Sequence, residues 1–193
     1  TGELRHVLRG HTRRILTVAF HPDGKRLVSA SADMTVSIWT IGKQNCDAIP
    51  YGHTAEVNCL AVSPDGRTIA SGGSDGAIFI WDAKLGKLLY RINAKAPEVF
   101  SLVFLPDNVH LFSGGSDGII HCWNVKSGKE LTGSLNAHSG AIRGLSVTTD
   151  GMCLVSCGDD CTVRLWEQSK SLTIQKTETV GNIATSWWNQ KNL

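Results

Sequence analysis

His11, Ser29 and Asp33 are the side-chain types from which a hydrolase builds its triad: an imidazole base, a hydroxyl nucleophile and an orienting carboxylate. Acyl transfer is the chemistry such a set would perform. The same types return as His53, Ser71 and Asp75, and again as His138, Ser156 and Asp160. In each set the histidine lies 22 residues before the acid and the serine four residues before it. Ser113 and Asp117 make a further set in which Lys95 stands in the place of the histidine. A tryptophan follows each acid by six residues: Trp39, Trp81, Trp123 and Trp166, at separations of 42, 42 and 43. An enzyme needs one activated nucleophile beside an oxyanion hole, not one in every repeat. A set that recurs with a tryptophan suits a buried network instead, running from indole N–H to serine, imidazole and carboxylate. The expectation is a protein that is not an enzyme.

The other reactive side chains point the same way. Cys153, Cys157 and Cys161 are four apart, which is not the paired C-x-x-C spacing of a zinc knuckle. Cys157 takes the place of Ala30, Gly72 and Gly114, and Cys161 that of Met34, Gly76 and Gly118, so both read as packed or turn positions. Cys46, Cys59 and Cys122 are scattered, and His6, His21, His110 and His121 add no ligand spacing. The glycine-rich runs 71–76 and 113–118 recur between strands as turn chemistry rather than as a phosphate-binding loop. No metal and no cofactor are expected. A formal charge of +2 over 193 residues is too mild to argue for direct nucleic-acid binding or an anionic membrane surface. No apolar run approaches the roughly 18 residues of a membrane helix. Thr1 to Arg5 lack an apolar signal segment, so reduced thiols in an intracellular setting, cytoplasm or nucleus and nucleolus, are the default.

Short strands must hold these residues. Ile15 to Phe20 is β-branched and apolar, and Pro22-Asp23-Gly24 then supplies a turn. Leu27 to Ala30 makes a second strand, and the segment around Asp33 turns into a third. That third strand alternates, with Val36 and Ile38 on one side and Ser37 and Trp39 on the other. A weaker fourth strand precedes the next histidine, as at Lys87 to Ile92. No segment has the apolar spacing of a long amphipathic helix. The chain reads as an all-β repeat array over 1–193, with repeats at about 10–51, 52–93, 94–136 and 137–178.

The Gly10-His11 … Trp39-Thr40, Gly52-His53 … Trp81-Asp82, Ala94-Lys95 … Trp123-Asn124 and Ala137-His138 … Trp166-Glu167 landmarks resemble the WD40 family. The resemblance covers roughly residues 3–188, and only Trp81-Asp82 keeps the full dipeptide. It implies a β-propeller of four-stranded blades whose geometry brings each histidine, serine, acid and tryptophan together. Glu3 to Arg9 matches the outermost strand of a preceding blade, Ser171 to Gln175 the outermost strand of the fourth blade, and Ile183 to Trp188 the inner strand of a fifth. Four visible blades with partial strands at 3–9 and 183–188 suggest part of a larger ring of about seven, whose edges pair with another segment. Lys95 should send its ammonium to solvent or to an acid, leaving the third blade without an imidazole bridge.

The resemblance also points to a binding rim, formed by the loop entering each inner strand and the turn before each acid. Carried over, it holds Arg13, Arg14, Glu56, Glu98 and Ala141, with Ala32, Ser74, Ser116 and Asp159. This mixture of charges suits a polar protein or peptide partner. Trp81-Asp82-Ala83-Lys84 and Trp123-Asn124-Val125-Lys126 carry lysine where the adaptor-docking W-D-x-R box has arginine, and the two cations differ in geometry. The stretch 136–163 looks like a blade of nucleolar WD40 proteins in small-ribosomal-subunit assembly. The expected function is a non-catalytic interaction scaffold in a multiprotein assembly. A subunit of an RNA-containing particle is the alternative, and a Ser-His-Asp hydrolase the last.

Overall fold

Repeated turn chemistry divides the chain into antiparallel meanders. The computed structural model describes residues 2–43, 46–49, 52–131, 134–168 and 188–190. The first sheet comprises β1 (Ile15–Phe20), β2 (Arg26–Ser31), β3 (Val36–Thr40) and β4 (Cys46–Ile49), paired in chain order. The second comprises β5 (Val57–Val62), β6 (Thr68–Gly73), β7 (Ala77–Asp82) and β8 (Lys87–Asn93). The third has β9 (Val99–Phe104), β10 (His110–Gly115) and β11 (Ile119–Asn124), with a split outer strand, β12 (Lys129–Glu130) and β13 (Leu135–Asn136). The fourth has β14 (Ile142–Val147), β15 (Cys153–Gly158), β16 (Val163–Gln168) and β17 (Trp188–Gln190). The described residues contain no helix long and apolar enough to cross a membrane.

Register repeats along with sequence. The serine of each second strand faces the same place on the inner strand: Ser29 pairs with Val18, Ser71 with Leu60, Ser113 with Leu102 and Ser156 with Leu145. Each inner strand skips one residue in its pairing, a β-bulge at Leu16, Asn58, Phe100 and Arg143. The first hairpin turns reach positive φ at Gly24, Gly66, Asn108 and Gly151, and asparagine at the third tolerates that conformation best after glycine.

The sheets pack side by side through apolar faces, their inner strands β1, β5, β9 and β14 adjacent in succession. Val28, Val36 and Ile38 of the first sheet meet Leu60, Ile69, Phe79 and Trp81 of the second. Ile78, Ile80 and Ile92 on the second sheet's other face meet Leu102, Leu111 and Trp123. Phe112 and Ile120 likewise meet Ile142, Leu154 and Trp166. The outer faces of the series stay open: Val18 and Phe20 are 68% and 70% exposed and Val163 73%, whereas Leu60 and Ile78, the repeat equivalents of Val18 and Val163, are 8% and 0% exposed.

The two ends of the described residues pair differently from the repeats between them. Residues 3–9 form no strand; Leu4 and Val7 are largely exposed, and a strand needs a neighbouring edge to bond. Trp188 is the last residue of the span expected to form a fifth inner strand. It pairs with Gln168 in β17, on the open edge of β16, whose N–H and C=O groups accept any strand within reach. Ser171 to Gln175 and residues 183–187 lie outside the described residues.

The turn before each third strand places Met34, Gly76, Gly118 and Cys161 at φ of 69°, 65°, 73° and 61°. At Gly118 a Cβ would lie 2.3 Å from the His138 carbonyl oxygen of the next loop. Gly118→Ala is therefore expected to destabilise the protein by at least about 2 kcal/mol, whereas Cys161→Gly should be neutral or stabilising by up to about 1 kcal/mol. Thermal melts of the two variants check the contrast.

Candidate functional site

The common register carries each serine, histidine, acid and tryptophan to one junction. In the second sheet the Trp81 indole N–H donates to Ser71 Oγ at 2.9 Å, and Ser71 Oγ lies 2.9 Å from His53 Nε2. His53 Nδ1 is 3.0 Å from both Asp75 oxygens. In the first sheet Trp39 to Ser29 is 2.7 Å, Ser29 to His11 2.7 Å and His11 to Asp33 2.9 Å. In the fourth, Trp166 to Ser156 is 3.0 Å, Ser156 to His138 2.8 Å and His138 to Asp160 2.8 Å. A carboxylate only accepts, so Nδ1–H donates to it, and in the neutral ring Nε2 then accepts the serine O–H. The serine oxygen is already engaged by the indole, and Ser71 and Ser156 are fully buried. The geometry ties a loop, two strands and a turn together instead of exposing a nucleophile.

The acids also close their own turns. Asp33 accepts the Thr12 amide and the Thr35 amide and hydroxyl, and Asp75 accepts the Thr54 and Ala77 amides. Partial burial pushes the Asp33 carboxyl up, but Thr35, the Thr12 amide and His11 outweigh it and hold it well below the usual carboxylate range. For Asp75, burial is outweighed by His53 and the Thr54 amide, and for Asp160 by His138 and Thr162; both are lowered.

The third sheet solves the same problem differently. Trp123 still donates to Ser113 at 2.7 Å. Lys95 sends its ammonium outward to Glu130, as its charge demands. No imidazole bridges Ser113 to Asp117 among the described residues; His121, on β11, instead lies with Nε2 2.8 Å from Asp117 and Nδ1 2.6 Å from Glu130. His121 occupies the strand position of Ser37 and Phe79, so no repeat landmark marks it. Its only sequence signal is a histidine four residues after the acid on the same strand.

The rim residues stand at the loop end of the strands. One backbone bond recurs there, clamping each third-strand turn to the loop entering the inner strand: Ala32 to Arg14, Ser74 to Glu56, Ser116 to Glu98 and Asp159 to Ala141, all 2.9–3.0 Å. Arg14 donates to Glu56 at 2.8 Å across the first and second sheets. Ser74 Oγ accepts Asn58 Nδ2 at 3.0 Å, and Ser116 Oγ accepts the Glu98 amide at 3.1 Å. Arg13 is exposed beside Arg14 without joining that pair. Arg143, overlooked in the sequence, forks onto Asp159 at 2.8 and 2.7 Å and stacks 4.4 Å above the Phe100 ring. Phe100, Asn58 and Arg143 are three of the four bulge residues; a bulge re-aims a side chain, and pairing irregularity is invisible in one sequence.

Successive meander sheets packed face to face, three of them carrying an indole–serine–imidazole–carboxylate tie, define a β-propeller repeat protein. A family profile described as "WD domain, G-beta repeat" matches residues 2–40, 44–82, 86–124 and 129–167. The chain belongs to the WD40 family. Among solved structures it is similar to U3-55K (31% identity, TM-score 0.77, 84% of this chain and 51% of that one) and to the WD40 repeats of RRP9 (30%, 0.75, 83% and 50%). Among curated relatives it matches the zebrafish (Danio rerio) "Ribosome biogenesis protein bop1", 40% identical over 27% of this chain and 7% of that protein. It also matches the mouse (Mus musculus) "Pre-mRNA-processing factor 19", 37% identical over 24% of this chain and 9% of that protein. The chain thus spans about half of the solved chains and under a tenth of these relatives.

Removing a tetrad acid leaves a buried imidazole unsatisfied and its turn unclosed. Asp75→Ala should destabilise the protein by roughly 1–3 kcal/mol. Because Asp33, Asp75 and Asp160 are depressed when folded, their contribution is complete above about pH 4 and fades as pH falls through the lower folded values. Melting temperature should fall on acidification below about pH 4, and less steeply in Asp75→Ala; urea titrations across that range check it. His121→Ala, which leaves Asp117 and Glu130 without their shared imidazole, should cost about 2–4 kcal/mol and exceed the loss from Lys95→Ala in parallel melts.

Proposed function

We propose that this chain is a non-catalytic scaffold that holds protein or peptide partners at its loop-end rim. The observation that carries the reading is the contrast between the two polar sets. The triad-like hydroxyls are sealed inside the sheets, whereas Arg13, Arg14, Glu56, Glu98 and Asp159 stand on clamped loops and Arg143 on the β14 bulge beside them. Rigid loops with mixed charge and an arginine stacked on an aromatic ring suit recognition of a polar, charged peptide. The open apolar faces at Val18, Phe20 and Val163 fit a larger ring in which further blades cover them. A place inside the cell, in cytoplasm or nucleus, accords with the relatives' names.

A subunit of an RNA-containing particle is the second reading. Relatives named for ribosome biogenesis and pre-mRNA processing support it, with association through protein partners at the rim. Affinity purification of the tagged chain with and without RNase separates the readings: a scaffold keeps its partners, a particle subunit loses some of them. Arg143→Glu together with Arg14→Glu should reduce partner recovery at least about tenfold while leaving melting temperature nearly unchanged, since both arginines are exposed. Undiminished recovery would move the interface away from this rim.

A further inference from the structure

At the end of the strands opposite the rim, the crevice between the first and second sheets is closed by an arginine of the chain itself. Arg26 Nη1 donates to the Ala83 carbonyl of the second sheet at 2.7 Å, and its Nε donates to Asp23 Oδ2 at 2.8 Å. Its Nη2 lies 2.9 Å from the buried His21 ring, which sits 2.7 Å from the Gly66 carbonyl. One repeat later, the places of Arg26, His21, Asp23 and Ala83 are taken by Thr68, Ser63, Asp65 and Val125. Asp65 and Val125 preserve the acceptors. Thr68 and Ser63 are too short to reach across, and a crevice of about 680 Å³ opens between the second and third sheets.

The walls keep the acceptors of the first crevice, and the Asp65 amide donates across to Asn108 Oδ1 at 2.8 Å. Asp65 Oδ1 accepts the Ser63 hydroxyl at 2.6 Å and the Arg67 amide at 3.0 Å. Asp65 Oδ2 faces Arg67 Nε at 3.9 Å, on a side chain 87% exposed. Tyr90 lines the crevice beside Val125, and its buried hydroxyl has no hydrogen-bond partner among the described residues. Asp107, bonded to His110, adds a second carboxylate, while Arg67 and Lys126 extend to solvent at the mouth. Formal charge in the lining cancels, so selectivity rests on the directed acceptors.

We propose that this crevice binds an arginine side chain presented by a partner protein, the guanidinium taking the place that Arg26 fills one repeat earlier. Its fork donates to Asp65 Oδ2 and the Val125 carbonyl, and its plane lies against the Tyr90 ring. The site is separate from the rim, and either can fail without the other.

The test is an amide-resolved NMR titration of the full chain with the tripeptide acetyl-Gly-Arg-Gly-amide and its citrulline counterpart. Binding should shift the Tyr90, Val125 and Lys126 amides, and citrulline should bind at least about tenfold more weakly. Thr68→Arg installs the chain's own plug and should abolish those shifts while keeping or raising the melting temperature. Should Thr68→Arg fail to fold, Asp65→Asn serves instead, with affinity lowered about three- to tenfold. Absence of shifts at millimolar tripeptide, equal binding of citrulline, binding that survives in folded Thr68→Arg, or undiminished affinity in Asp65→Asn overturns the proposal.

Discussion

A sheet that is apolar on both faces cannot stand alone in water, and that constraint organises this molecule. The second sheet presents Leu60, Ile69, Phe79 and Trp81 to one side and Ile78, Ile80 and Ile92 to the other. Burying each such side chain contributes on the order of 1.5–3 kcal/mol, and it is available only with a sheet against each face. Sheets must therefore follow one another sideways, inner strand beside inner strand. Once they do, every loop falls at one of two ends of the strands. The exposure of Val18, Phe20 and Val163 is the same rule seen where no further sheet covers the series.

Polar chemistry inside such an apolar stack has to be complete. The tetrads meet that demand by giving each indole, hydroxyl and imidazole a partner, and they tie the incoming loop to the turn that follows two strands later. The third sheet shows that completeness matters more than the location of the histidine. With Lys95 in the loop, an imidazole from β11 serves Asp117, and Glu130 meets both that imidazole and the Lys95 ammonium. Three copies of one solution beside one rerouted solution argue that the network serves packing and turn closure.

The two strand ends are left for recognition, and their character differs. At the rim, the β-bulges turn Asn58, Phe100 and Arg143 out of the pleat, and the recurring backbone clamp holds the loops that carry them. At the opposite end, short turns bring acids and carbonyls of neighbouring sheets together, and the residue at the start of each second strand decides whether the space between them is filled. Arg26 fills it and Thr68 does not.

The repeat period, the all-β class, the strand order within a sheet and the membership of three tetrads were legible in the amino-acid sequence, because each rests on local spacing. Turn residues and alternation act within a few positions, and a landmark that recurs four times is visible without coordinates. The role of His121 was not legible, since its partners Asp117 and Glu130 meet it only when β11 lies between the turn and β12. Nor was the placement of Trp188 on the edge of β16, which depends on competition for an open edge and not on resemblance to an inner strand. The bulges, the Arg143–Phe100 stack and the crevice at Tyr90 share that origin. They arise where residues from different repeats approach, and the distance between sheets is set by the packing of whole faces. The sequence by itself determined which groups each repeat carries; only the tertiary structure decided which of them find partners and which stay open to another molecule.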